Sequence, residues 1–356
     1  MHFEKGEIPV DYIKYISRKN AFIIVAFLLL CFLAAISLSV GSVSYTLKDI
    51  FKTLLGVHVS KTLDAVIFNI RLPQVIAAIV AGAGLAVAGA VMQSVLGNPL
   101  ASPFTLGIAQ AAAFGAAFSV MVLGAGFMRS STADAVAIVR PGLTTIVAFI
   151  ASMVATGAVV LIAQVRRGSP DVMILAGVAI GSLCSAGTMF LQYFADDTQL
   201  ASIVFWTFGD LARAGWKELG IMAAITFSCI CFFVANAWNY NAIDSGEETA
   251  ISLGVNVRLV RFMGMSLASL ATAVIIAFVG VIGFVGLIGP HMARRLIGDD
   301  NRYLLLGSCI IGGILLLAAD TAARTMLAPR VLPVAVLTSF VGAPVFLYLL
   351  VKGYRR

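Results

Sequence analysis

The sequence predicts an all-α integral membrane protein with about ten transmembrane helices. Three observations carry that expectation. Of 356 residues, 60% are hydrophobic, and mean hydropathy is +1.01. Only 12% are charged, about half the share of a soluble domain. Residues 72–128 contain no Asp, Glu, Lys or Arg at all, although one bilayer crossing needs only about 20 apolar residues. The net charge of +7 calls for no nucleic acid, because basic residues beside spans set topology and no base-stacking or phosphate-reading motif accompanies them.

Taken in order, residues 1–20 form a basic cytoplasmic leader, and 21–356 form one polytopic domain. The first span, 21–41, is long enough to remain in the membrane rather than serve as a cleaved signal. The charge-free run 72–128 is too long for one helix. GNPLASP at 97–103 interrupts it, so it divides into spans two and three around a tight turn. Spans four and five fall at 142–164 and 172–194. The apolar segment 198–209 is short and reads as a half-helix that dips in and stops. Spans six and seven occupy 216–237 and 258–280, and spans nine and ten 303–323 and 332–351. The remaining segment, 281–298, is short for a span. Lys14, Arg18 and Lys19 flank the first span, and Lys352, Arg355 and Arg356 the last. Both ends are therefore expected inside, the number of crossings must be even, and 281–298 becomes span eight. This topology puts 14 of the 24 Lys and Arg residues inside and 10 outside. AAIVAGAGLAVAGA, 77–90, supplies the small residues that let membrane helices approach closely.

The five cysteines, Cys31, Cys184, Cys229, Cys231 and Cys309, all lie in apolar runs without metal-ligand spacing. They read as small core residues. No metal site is expected, and with no G-x-x-x-x-G-K-[ST] there is no nucleotide site.

One charged island, 245–261, separates two long uncharged runs and lies inside. Ser245 followed by Glu248 fits a capping box, Gly254 a left-handed C-cap, and Asn256 the cap of the next helix. Ala250, Ile251 and Leu253 form a small apolar face. Glu247 and Glu248, with no lysine beside them, suit a protein partner better than a lipid surface. The residues thus describe helix, sharp turn, helix at the membrane surface.

EETAISLGVNVRLVR, 247–261, resembles the coupling helices of the FecCD-type ABC importer permeases, which import iron–siderophore, haem and cobalamin. The likeness extends through RLPQVIAAIVAGAGLAVAGAVMQSVLGNPLASPFTLG (71–107), MILAGVAIGSLCSAG (173–187), FWTFGDL (205–211), GFVGLIGPHMARRLIGDDNR (283–302) and LPVAVLTSFVGAPVFLYLL (332–350). It implies a type II ABC importer permease fold of ten spans and a non-enzymatic permease subunit. The implied partners are a second copy of the permease, two ABC ATPase subunits that carry ATP and Mg, an extracytoplasmic binding protein, and the bilayer of the cytoplasmic membrane. No cofactor is bound by this chain. Spans five and ten would line a pore between the two permeases.

The resemblance also implies residue roles. Glu247, Glu248, Ala250, Leu253, Gly254 and Arg258 would seat in the ATPase. Pro290, His291 and Arg294 would support that interface, Pro290 by bending span eight. Arg71 and Arg324 would receive acidic side chains of the binding protein. An inner gate would lie at Ser169, Pro170 and Asp171, after Gly168. Three positions depart from the family pattern: Gln74, where many relatives have a basic residue, and Val331 and Ala335, where relatives carry an acidic residue and a glycine.

Two other functions compete. An ion-coupled secondary transporter keeps an ionisable residue mid-membrane, yet only Asp320 and Asp210 come near, and neither is central. An intramembrane enzyme needs a nucleophile and base at matching depth; Ser182 and Ser308 have no histidine beside them.

Overall fold

The computed structural model describes residues 10–41, 45–125, 140–165, 169–327 and 331–353, and among these there is no strand. The first helix, α1 (Val10–Ser39), begins well before the expected span, so the second half of the leader is its first three turns. Two short helices that hydropathy does not reveal come next. They are α2 (Leu47–Leu54), capped by the Thr46 hydroxyl, and α3 (Lys61–Val66), capped by Ser60. A single π turn, Ile67–Arg71, leads into α4 (Leu72–Val95), which is span two. The indole N–H of Trp216 donates to the Phe68 carbonyl inside that turn, at 2.8 Å.

Span three is α5 (Ile108–Met121), only 14 residues. It rises about 21 Å against an apolar thickness of about 30 Å. The segment 126–139 lies outside the described residues. Spans four and five are α6 (Pro141–Val165) and α7 (Pro170–Tyr193). The half-helix is α8 (Asp197–Thr207), closed at its start by a full capping box between Asp196 and Gln199. Then come α9 (Trp216–Ala235), the short α10 (Ala237–Asp244) and α11 (Glu247–Ser252), and α12 (Val257–Val279). Span eight is α13 (Val285–Ile297), followed by α14 (Asn301–Thr325) and α15 (Val334–Gly353). Among the described residues seven helical stretches are long and apolar enough to cross a membrane, and α5, α13 and α15 take the places of spans three, eight and ten.

At the centre stands α4, packed on α14, α12, α13 and α9. Glycine is what permits this. Gly82 of α4 and Gly312 of α14 face each other so closely that a Cβ on either would run into the other's carbonyl, and a Cβ on Gly89 would run into the Gly286 carbonyl of α13. In lipid such close packing replaces the hydrophobic effect as the force between helices. By contrast α7 lies at the edge, against α5, α6 and α8, with only 17% of its most apolar window buried. Beyond α12 the chain turns sharply. Gly209 and Gly280, both at positive φ, let two backbones touch, and the Asp210 N–H donates to Val279 O at 2.7 Å. Phe284 starts α13 at φ +65°, the one non-glycine at positive φ among the described residues.

Candidate coupling and docking sites

The island folds as an elbow, though its first cap differs from expectation. Ser245 does not cap α11. Its hydroxyl donates backward to Asn241 O at 2.9 Å, inside the last turn of α10, and Gly246, at φ +113°, opens α11 without a side-chain bond. Ser245 is itself the C-cap of α10, so the N-cap position of α11 falls one residue later, on Gly246.

The other end agrees closely with the sequence. Gly254 sits at φ +81°. Its N–H donates to Ile251 O at 2.9 Å, and the Val255 N–H donates to Ala250 O at 3.0 Å. These are the two bonds of a Schellman motif, which satisfy carbonyls the helix end would otherwise orphan. Asn256 then caps α12 by accepting from the Leu259 N–H at 3.0 Å.

Ala250 is fully buried, packed with Ala242, Ile243 and Val257. It holds the elbow closed and offers no surface to a partner, which corrects its expected contact role. Ile251 and Leu253, 60% and 67% exposed, carry the outward apolar face. Glu248 and Arg258 are also exposed, without an ion pair among the described residues. Glu247 pairs with Arg261 at 3.0 Å, and the Arg261 Nε donates to Val95 O at 2.8 Å. Arg261, a residue that sequence reasoning missed, therefore caps the last turn of α4 and grips the elbow at once. A cation at a helix C-terminus is favourable on both counts.

Pro290 lies buried within α13. His291 donates through Nε2 to Pro99 O at 2.8 Å, in the turn after α4, and its ring stacks near Phe346. Arg294 donates to the Gln93 side-chain oxygen at 3.0 Å and pairs with Asp299 at 3.1 Å. His291 and Arg294 thus tie α13 to the elbow end of α4.

A second polar cluster joins α4, α10 and α14 at that end. The Asp244 carboxylate accepts from Asn301 Nδ2 at 2.7 Å and Ser94 Oγ at 3.1 Å. Burial raises the Asp244 pKa, and those bonds only partly offset it. The Asn241 amide donates to Asp300 at 3.0 Å, and Asp300 pairs with Arg302 at 2.6 Å. Burial alone would raise Asp300, but the bonds from Arg302 and Asn241 outweigh it and hold the carboxyl at about 2. The segment GDDNR showed this cluster's second half in the sequence. Nothing pointed to Ser94, Asn241 or Asp244.

At the opposite end, Arg71 and Arg324 occupy one corner of the bundle, but both are largely buried. Arg71 is 4% exposed, donates to Leu38 O at 2.6 Å and lies over the Tyr45 ring. Arg324 pairs with Asp320 at 2.9 Å and donates to Ser37 Oγ at 2.7 Å. Gln74 donates to the second Asp320 oxygen at 2.9 Å. Gln74 is thus a neutral donor that completes this buried carboxylate's shell. Asp320 is not an unpaired intramembrane acid.

Ser169 precedes α7 without a side-chain cap bond, Pro170 is its first residue, and Asp171 is exposed in its first turn. Gly168 lies outside the described residues. Val331 is exposed, and Ala335 N–H donates to Phe208 O at 3.3 Å.

The FecCD transport family matches residues 28–352. The chain belongs to this family. A protein of Methanocaldococcus jannaschii described as an ABC transporter permease is 49% identical over 98% of this chain and 99% of its own. The hemin transport system permease of Yersinia pestis is 35% identical, covering 92% and 94%. Among solved structures, a transporter described as of the metal-chelate ABC type, in an inward-facing conformation, superposes with a TM-score of 0.79 at 29% identity, covering 94% of this chain and 99% of that one. As a FecCD chain, the molecule is a membrane-spanning transport permease with the expected all-helical fold. Its elbow lies at the end of the bundle where α4, α10, α13 and α14 are clamped together, and its two arginines lie at the other.

Proposed function

We propose that this FecCD chain is the translocating subunit of an ABC importer for a ferric chelate, a siderophore complex or haem, with cobalamin the second candidate cargo. It acts as a homodimer with two separate ATPase subunits and an extracytoplasmic binding protein. In this reading both termini and the elbow face the cytoplasm of a cell whose cytoplasmic membrane holds the complex. ATP and Mg reside on the ATPases, and this chain performs no chemistry. The ferric chelate is favoured by the haemin relative and the metal-chelate neighbour.

The observation that carries the proposal is the elbow itself. It is a preformed, doubly capped projection whose apolar face is outward and whose base is anchored by Arg261 to the end of α4. A loop resting in solvent has no need of two caps and an arginine clamp. The homodimer reading draws on α7, whose exposed face carries Ser182 between apolar neighbours, a polar group better suited to a pore than to lipid. Transport then proceeds by alternating access. A loaded binding protein docks at the Arg71 and Arg324 corner, the ATPases close on ATP, and the displaced elbows switch the cavity between the permeases. The gate lies at the start of α7, Ser169 to Asp171.

The deciding experiment is gentle purification of the tagged chain from its native membrane, with mass spectrometry of the proteins that accompany it. An ABC ATPase in equal amount, lost when Leu253 is changed to Asp, is the expected result. A chain that purifies alone under every mild condition, and takes up substrate on an ion gradient without an ATPase, refutes the proposal.

A further inference from the structure

We propose that the cleft between the elbow-side ends of α6, α7 and α12 binds the phosphate diester of an acidic phospholipid. The cleft has a volume of about 210 Å³, below the ~300–1,000 Å³ of sites that enclose a drug-sized ligand. A cleft of this size has room for a phosphate headgroup. Val160, Met173, Leu259 and Phe262 form its apolar walls, and Gln164, Asn256, Arg258 and Arg261 its polar lining.

The two arginines differ in what they have to offer. Arg261 is engaged with Val95 O and Glu247. Arg258 is exposed and makes no hydrogen bond or ion pair among the described residues. It lies in the first turn of α12 and lines the cleft beside Asn256, whose side-chain oxygen is used in capping α12, and the Gln164 amide, which has no hydrogen-bond partner among the described residues. A guanidinium and an amide beside one concavity are suited to phosphate oxygens.

The surroundings select a lipid as the source of that phosphate. Leu161, Val165 and Leu259, on the two helices that flank the cleft, are 64%, 82% and 55% exposed. Acyl chains can run along them while the headgroup occupies the cleft. Basic pockets between spans on the cytoplasmic side face the more anionic leaflet. That preference of leaflet rests on the orientation proposed above, whereas binding itself does not. The lipid would also touch the first turn of α12, directly beside the elbow, and so join the membrane to the coupling element.

The test uses the full-length permease alone, without ATPase, so its outcome is independent of the coupling assignment. Native mass spectrometry from detergent would compare retained dioleoyl phosphatidylglycerol with dioleoyl phosphatidylcholine, and inorganic phosphate as competitor. Expected is retention of the acidic lipid, weakened about fivefold by Arg258→Gln, the factor that corresponds to about 1 kcal/mol per basic residue near an anionic surface. Val160→Phe, which fills the cleft without altering charge, should abolish it. Arg18→Gln, on the remote α1, should leave it unchanged. Equal loss in Arg258→Gln and Arg18→Gln would reduce the effect to diffuse surface charge and overturn the proposal. So would equal retention of phosphatidylcholine, unaltered binding in Val160→Phe, or displacement by millimolar phosphate with no dependence on acyl chains.

Discussion

Gly254→Val isolates the conformational demand of the elbow. A Cβ at position 254 would meet nothing within 4 Å, so no neighbour is struck. The whole penalty is the backbone at φ +81°. An L-residue there costs about 1–2 kcal/mol, and a β-branched one sits at the upper end or beyond. Opposing it are the two Schellman bonds from Gly254 and Val255, each worth about 1 kcal/mol, so the turn is placed near balance rather than destroyed. A shift of about 1–2 kcal/mol is a factor of about 5–30 in population. With ATPase and binding protein reconstituted in proteoliposomes, substrate moved per ATP should fall several-fold in Gly254→Val. Gly254→Asn, which tolerates the left-handed region, should retain most coupling. Global unfolding should stay close to wild type because position 254 is exposed and a side chain there would displace no core residue. Equal coupling ratios for Gly254→Val and wild type would refute the argument that the left-handed turn shapes the contact.

The packing and the polar clusters have other consequences. Gly89→Ala forces α4 away from Gly286 of α13 and should lower stability by about 1–3 kcal/mol, read as a lower unfolding midpoint in detergent. Arg324→Ala leaves the Asp320 carboxylate buried with only Gln74. It should cost about 3 kcal/mol, and the double change with Asp320→Asn should recover most of it, so loss of uptake in the single variant does not by itself report docking. Asp300 has a depressed pKa of about 2, so its contribution is present above the ordinary carboxylate pKa and is lost as pH falls toward 2, about 2 kcal/mol in all. Asp300→Asn should flatten stability over that range of pH. Leu253→Asp should abolish ATPase association while changing thermal stability by less than about 0.5 kcal/mol.

Most spans were legible because lipid imposes a simple rule: length and absence of charge. The expected 142–164, 172–194 and 258–280 stand beside the observed Pro141–Val165, Pro170–Tyr193 and Val257–Val279. Hydropathy failed where helices are not lipid-bound. Helix α2 mixes Lys48, Asp49 and Lys52 with apolar residues and vanishes in an average, although Leu47, Ile50, Phe51 and Leu54 hold the i, i+3, i+4, i+7 spacing of an apolar helix face. At the elbow, Gly254 and Asn256 could be read because their roles are local. Ser245 misled because the same hydroxyl serves equally well in the preceding turn. Arg261 and Asp244 could not be read at all, since Val95 and Ser94 stand 166 and 150 residues away.

The long-range contacts that the sequence hides also determine how a push on the elbow would travel. Arg261 joins the elbow to α4, and α4 is locked by Gly82 and Gly89 to α14 and α13. His291, Arg294 and the Asp244 cluster fasten the same helices where the elbow emerges. A load on Ile251 or Leu253 therefore reaches the most tightly packed part of the molecule first, and glycine contacts without side chains have little room to yield. The loosely held α7 receives the load mainly through α5 and α6, with α8 at its far end. In the proposed homodimer, a chain built this way would turn local displacement into rotation of its core as a body, and the opening between two such bodies would change while neither had to bend.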